Sequence, residues 1–253
     1  MRLLLVCLTL FSTQALAKDF EGVITGKSVS AEPSKGGIQS MVLSLSPTGV
    51  RVEATVATGQ PGPTADLHSV MVWTAADPGV SYLLNPATKT YLKHDVPKTT
   101  DAGGAADPTI KVEKLGKGSF LGHTVEKVRV TTGSQPPREY WVDTSLRFPT
   151  AALSAFGMGR NMKNGAFAAM EKAGVMGIPL KDVNADGTSG WEAVSVEQKH
   201  LSASTFQVPS DYHEGKSPLE MLSPAQQEAM QQRLNAMTPE QRAKLEEMMK
   251  NNK

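Results

Sequence analysis

Lys114–Asp143, KLGKGSFLGHTVEKVRVTTGSQPPREYWVD, is the stretch on which the reading of the whole chain turns. Val125, Val128 and Val130 sit among Thr124, Arg129, Thr131 and Thr132. Such a β-branched run favours an extended, half-buried backbone. Gly133-Ser134-Gln135-Pro136-Pro137 interrupts it, because two prolines remove two backbone donors and fix two φ angles. The chain then returns as Glu139-Tyr140-Trp141-Val142-Asp143, with large side chains on both faces. The stretch is a β-hairpin unit, and short strands on either side repeat its style.

Upstream, the alternation is cleaner. Met41, Leu43 and Leu45 alternate with Val42 and Ser44; after Ser46-Pro47-Thr48-Gly49, Val50, Val52, Ala54 and Val56 alternate with Arg51, Glu53 and Thr55. Period two with charge on one side predicts an antiparallel hairpin with one face buried and one wet. Asp19–Ser28, Leu67–Trp73, Val80–Leu84, Tyr91–His94 and Ile110–Leu115 read as further short strands between proline and glycine turns. Pro97–Asp107 is a Thr-, Ala- and Gly-rich loop. Past Pro149 the style changes: Thr150–Phe156 and Gly165–Ala173 are Ala- and Met-rich and predict one or two short helices, Phe167, Met170 and Ala173 sharing a face. Strands resume at Val175–Leu180 and Trp191–Leu201, and Phe206-Gln207-Val208-Pro209 closes the body. The fold class expected is mainly β, or α+β: ten or eleven strands in a strongly curved antiparallel sheet or half-open β-barrel, a short helical lid within 150–174, and a helical tail.

The two ends differ from this body. Arg2, the apolar run Leu3–Phe11 and Ala15-Leu16-Ala17 have the form of a cleavable signal peptide over 1–17, cut after Ala17. The run is too short to span a bilayer, which takes ~20 apolar residues. Cys7, the chain's one cysteine, would leave with it, so no disulfide framework follows export. The body then runs over 18–212 and the tail over 213–253. In the tail, Ser223-Pro224-Ala225-Gln226 and Thr238-Pro239-Glu240-Gln241 are two capped helix starts. Met230, Leu234 and Met237 form one apolar stripe, and Leu245, Met248 and Met249 another.

Lys and Arg total 26, Asp and Glu 25, and the leader holds only Arg2. A balanced mature chain argues against nucleic acid as a partner, which needs a concentrated basic surface. No second apolar segment reaches membrane length, so the protein is not expected to span a membrane; it is expected in the periplasm or outside the cell. A search for chemistry yields little. There is no G-x-S-x-G elbow, no phosphate loop and no mature cysteine. His68, His94, His123, His200 and His213 are scattered without metal-ligand spacing. An enzyme and a cofactor are therefore not expected; a hydrolase with an unrecognised site would need a cleft with a His and a carboxylate in hydrogen-bond reach. Asp182-Val183-Asn184-Ala185-Asp186-Gly187 matches the first half of a calcium loop, making Asp182, Asn184 and Asp186 metal candidates. Ala193 stands where the bidentate Glu belongs, and the same residue types suit a hairpin turn.

The large apolar side chains give the binding candidates. Met71, Trp73, Tyr82, Leu84, Phe120, Trp141 and Trp191, with Phe167 and Met170 of the helical segment, are the set that would line a cavity for an apolar or lipid-like ligand. The same residues would also fill an ordinary core.

Several short motifs carry a resemblance. Tyr82-Leu83-Leu84-Asn85-Pro86-Ala87-Thr88-Lys89-Thr90-Tyr91, Phe120-Leu121-Gly122-His123, Tyr140-Trp141-Val142-Asp143, Gly177-Ile178-Pro179-Leu180 and Phe206-Gln207-Val208-Pro209 occur in that order. Over Asp19 to about Tyr212 the chain resembles the exported bacterial family of unknown function DUF4412. That family is similar in pattern to the carriers of outer-membrane lipoproteins. The resemblance implies an open, curved antiparallel sheet with helices lidding an apolar cavity, Thr150–Ala173 being the lid or a plug. It places no functional residue of a carrier. Leu222-Ser223-Pro224-Ala225-Gln226 and Met237-Thr238-Pro239-Glu240-Gln241 resemble the L-T-x-x-Q motif of periplasmic stress chaperones, each departing once. Two functions are thus expected in order: a non-enzymatic carrier of an apolar ligand, or a chaperone-like module that meets an envelope protein through the Met-rich tail.

Overall fold

The computed structural model describes residues 19–30, 37–57, 66–96, 109–133, 135–148 and 165–238. The proposed leader, the loop 97–107, the first part of the lid segment and the second tail helix lie outside them.

Twelve strands form one sheet that is curved and does not close. The first six are β1 (Gly22–Ser30), β2 (Gly37–Ser46), β3 (Gly49–Ala57), β4 (Asp66–Thr74), β5 (Val80–Asn85) and β6 (Thr90–Asp95). Each pairs antiparallel with the next. A second meander holds β7 (Ile110–Phe120), β8 (His123–Thr132), β9 (Arg138–Asp143), β10 (Ile178–Asn184) and β11 (Ser189–Gln198). The two meanders join where β1 lies antiparallel to β11, and β12 (His213–Glu214) adds parallel to β6. A flat sheet of this size is unstable to curling, since twisted open sheets seldom pass about ten strands without it.

The hairpin expected from strict alternation is β2–β3. Ser46 pairs with Gly49 across Pro47-Thr48, and the Ser46 hydroxyl accepts the Thr48 amide at 3.0 Å. The stretch Lys114–Asp143 contains two hairpins. Beyond β8–β9, the chain turns at Leu121-Gly122, with φ of 51° and 79°, so that Phe120 faces His123. Two positive φ values in a two-residue loop match the right-handed twist of the strands.

The largest apolar cluster runs across the middle of the sheet: Phe20, Ile24, Leu43, Leu45, Val50, Trp73, Val125, Ile178, Leu180 and Ala193. Leu146 and Phe148, beyond β9, pack against it, held by the Phe20 amide donating to the Arg147 carbonyl at 2.8 Å. A second cluster joins Val128, Val130, Tyr140 and Val142 to Met170 and Val175. Met170 belongs to α1 (Ala166–Lys172), the helix found within the expected lid segment. In the third, Phe206 covers Val70, Val72 and Leu84.

After Phe206 the chain returns to the sheet edge. His213 donates its amide to Lys89, Gly215 donates to Tyr91, and Asn85 Nδ2 donates to the Met221 carbonyl. Ser223 and Gln226 then exchange the two bonds of a capping box, at 2.8 and 3.3 Å, opening α2 (Pro224–Ala236). Among the described residues no helix is long and apolar enough to cross a membrane.

Candidate functional site

A partly open cleft of about 360 Å3 lies at one end of β8, β9 and β10. Val130, Thr132, Gln135, Pro136, Arg138, Tyr140 and Asn184 line it. Strand register explains why these residues meet. Val130 faces Arg138 and Val128 faces Tyr140 across β8–β9, while Tyr140 faces Asp182 and Arg138 faces Asn184 across β9–β10. Directly paired side chains project from the same face. Alternate residues of three neighbouring strands therefore share one surface. Past Thr132, where β8 ends, the chain carries Gln135 and Pro136 to one wall. The Gln135 amide is tied to the Thr132 carbonyl at 3.0 Å, and the Ala185 amide to the Pro137 carbonyl at 2.9 Å.

The wall has a polar and an apolar half. Arg138 Nε and Nη2 both lie 2.7 Å from Asp182 Oδ1, and Nη1 donates to Asn184 Oδ1 at 3.1 Å. Asn184 Nδ2 donates to Ser189 Oγ at 2.6 Å, which sets the amide with its oxygen toward the guanidinium. The hydrogen bond to Asp182 raises the Arg138 pKa. Burial first, and then the Asp182 charge, push the Tyr140 phenol up, so it stays a neutral hydroxyl at ordinary pH. On the other side Val130 and Tyr140 continue into the cluster under α1, against Met170.

The calcium-like residues are all engaged. Asp182 and Asn184 serve Arg138, and Asp186 Oδ1 accepts the Thr188 amide at 2.9 Å and hydroxyl at 2.7 Å in the β10–β11 turn. A cation at the first two positions would have to displace the guanidinium. Among the described residues no group of three or more His, Cys, Asp and Glu side chains is placed to hold a metal.

The apolar candidates fall in different places, and none of the eight whose side chains are described is among the residues lining this cleft. Val70 faces Leu84 and Val72 faces Tyr82, so Tyr82 and Leu84 share one face of the sheet and Met71 and Trp73 take the other. Trp73 lies in the central cluster at 1% exposure, Leu84 beneath Phe206, and Met170 on α1 in the second cluster. Tyr82 meets Tyr91 edge to face at 5.9 Å. Phe120 and Trp141 meet the same way at 5.5 Å, with Lys127 Nζ 3.9 Å and Lys181 Nζ 5.3 Å from the Trp141 ring. Trp191 packs against the central cluster; its indole nitrogen is buried with no hydrogen-bond partner among the described residues. Phe167 lies on α1.

His123 and Asp143 form the one His–carboxylate pair with a buried carboxylate among the described residues. His123 Nδ1 lies 2.8 Å from Asp143 Oδ2, and Asp143 is 2% exposed. Ser145 donates both its amide and its hydroxyl to Asp143 Oδ1, at 2.8 and 2.6 Å. The hydroxyl is thus committed to the carboxylate and not to the imidazole that would have to activate it. The pair holds the end of β9 to the start of β8.

Arg138, Gln135 and Thr132 were not singled out from the sequence. The available signal was Arg138-x-Tyr140 standing opposite Asp182-x-Asn184, a charge match visible only once β9 and β10 are paired.

The description "Domain of unknown function (DUF4412)" matches residues 20–212. No curated protein matches the chain. Among solved structures it is similar to an uncharacterized conserved protein from Thermus thermophilus, at 11% identity and TM-score 0.42, over 79% of this chain and 91% of that one. It is also similar to a putative outer membrane lipoprotein-sorting protein domain from Vibrio parahaemolyticus, at 10% identity and TM-score 0.25, over 73% and 87%.

Proposed function

The chain belongs to the DUF4412 family, and we infer that it is an exported, non-enzymatic binding protein that holds an apolar or lipid-like ligand. The ligand lies on the β8–β9–β10 face, entering by the cleft and extending toward α1. One observation carries this reading: the cleft's apolar wall, Val130 and Tyr140, belongs to the same buried cluster as Met170 of α1. At ~30 Å3 for a water-sized group, a volume of about 360 Å3 takes roughly a dozen such groups. It falls in the range of small-molecule sites, about 300 to 1,000 Å3. A longer chain needs more room, and displacing the short helix α1 would supply it. Gly165 caps α1 without a side-chain hydrogen bond, and Met170 ties the helix to the second cluster.

Titration of the mature protein with a fluorescent acyl-chain probe tests this. Gln135→Trp and Thr132→Trp place bulk at the mouth of the cleft without touching the buried clusters. Each is expected to weaken probe binding at least tenfold while leaving the thermal midpoint within a few degrees. Unchanged affinity in both variants would remove the cleft from the account.

The exposed Met230, 40% accessible on α2, favours a second reading. In it the tail meets partly unfolded envelope proteins, Met being a side chain that adapts to varied apolar surfaces.

A further inference from the structure

We propose that the cleft selects a ligand with an uncharged polar head, such as an ester, amide or hydroxyl, and discriminates against a free anion. This rests on the ligand-binding reading above. Among the described lining residues Arg138 carries the one charge, and a half-exposed arginine at a cleft mouth would ordinarily recruit a carboxylate or phosphate. Here that charge is already used. Nε and Nη2 both reach Asp182 Oδ1 at 2.7 Å, Nη2 also points at the Asp182 carbonyl at 3.5 Å, and Nη1 is on Asn184 Oδ1. Asp182 itself is not among the lining residues; it sits behind the guanidinium. An entering anion would meet a neutralised cation with a carboxylate just beyond it, and would lose its own hydration without gaining an unpaired partner.

What remains facing the cleft is neutral: the Gln135 amide, the Thr132 hydroxyl and the outer edge of a compensated guanidinium, with the uncharged Tyr140 phenol itself bonded to Arg138. These donate and accept hydrogen bonds without supplying net charge. An uncharged head keeps its dipolar contacts there and has far less to give up on leaving water. The alternation that places Asp182 and Asn184 together against Arg138 also fixes this compensation in the fold, because all three are held by the β9–β10 register.

The experiment uses the full mature chain and two probes of one chain length, dodecanoate and 1-monododecanoylglycerol, each below its critical micelle concentration. At pH 8 the acid is ionised, so the probes differ mainly in head-group charge. Calorimetry or displacement of a reporter should show the monoacylglycerol binding about tenfold or more tightly. Asp182→Asn, which frees the guanidinium charge without altering the lining, should reverse that order. Equal affinities in the wild type, or tighter binding of dodecanoate, would overturn the head-group inference and leave the binding reading standing. Binding of neither probe would overturn both. The wild-type comparison decides the matter even if Asp182→Asn does not fold.

Discussion

At the scale of single residues, two positions show how tightly the sheet is specified. Gly26 lies under the Trp191 indole: a Cβ at that position would come within 2.2 Å of the ring. The ring is itself packed against the central cluster, so it has little room to give. Gly26→Ala is expected to cost about 1–3 kcal/mol, as overpacking does, seen as a lower denaturation midpoint with an unchanged denaturant slope. Glu192 supplies the second case. The Lys181 ammonium, donating at 2.9 Å, and then Lys27 at 3.5 Å hold its carboxyl below its ordinary value of 4.5. A depressed carboxylate stabilises the fold above that ordinary value, and the contribution fades as pH falls through the depressed one. Glu192→Gln should therefore lower the thermal midpoint at neutral pH, and the difference from wild type should shrink as the pH falls below the ordinary 4.5 and through the depressed value. A constant difference across that range would show that the ion pair is not its source.

At the scale of elements, the hairpins were the legible part and the irregularities were not. β2–β3 follows from alternation because the side-chain period in a strand is two and one face of that hairpin is wet. The interruption at Gly133–Pro137 follows from missing donors. The Leu121-Gly122 turn has no such composition: Leu121 sits at φ 51°, 45% exposed, where Gly or Asn would be expected, so β7 reads from sequence as ending near Leu115. Leu121→Gly relieves a left-handed backbone at a site with nothing to lose in packing. It should stabilise the protein by about 1 kcal/mol, measured by chemical denaturation. Register shifts at Lys114/Gly116, Pro179/Lys181 and Thr25/Gly26 insert residues that break period two. Ile178 and Leu180 both sit in the central cluster two residues apart, and the period breaks directly after them. Such bulges sharpen local twist, and no local pattern announces them.

At the scale of the whole molecule, the sheet is two meanders joined by the pairing of β1 with β11, residues about 170 apart in sequence. Long-range pairing of this kind is set by what is left unpaired when both halves have formed, so the sequence predicts a curved sheet without predicting the seam. The cleft has the same character. Its lining comes from β8, the β8–β9 connection, β9 and the end of β10, and only pairing brings Arg138 to Asn184 and Asp182. Of the aromatic candidates Trp73 is buried, and Tyr82, Phe120, Trp141 and Trp191 are half-buried, as large side chains on alternating strands tend to be. Which face each takes depends on register: Trp73 and Leu84 end in separate clusters. The edges are guarded differently. β12 covers β6, and β7 carries Lys111, Lys114 and Lys117 with a bulge, devices that oppose strand addition.

Central to the account is that the protein carries an apolar ligand on the β8–β10 face. Native mass spectrometry of the mature protein, purified from its own host's envelope fraction and followed by solvent extraction, tests this most directly. A stoichiometric bound mass that extracts as an acylated, uncharged lipid is the predicted result, with the same mass lost from Gln135→Trp. A clean ligand-free mass for the wild-type protein would contradict the account and leave the exposed tail helix as the part to which function must be assigned.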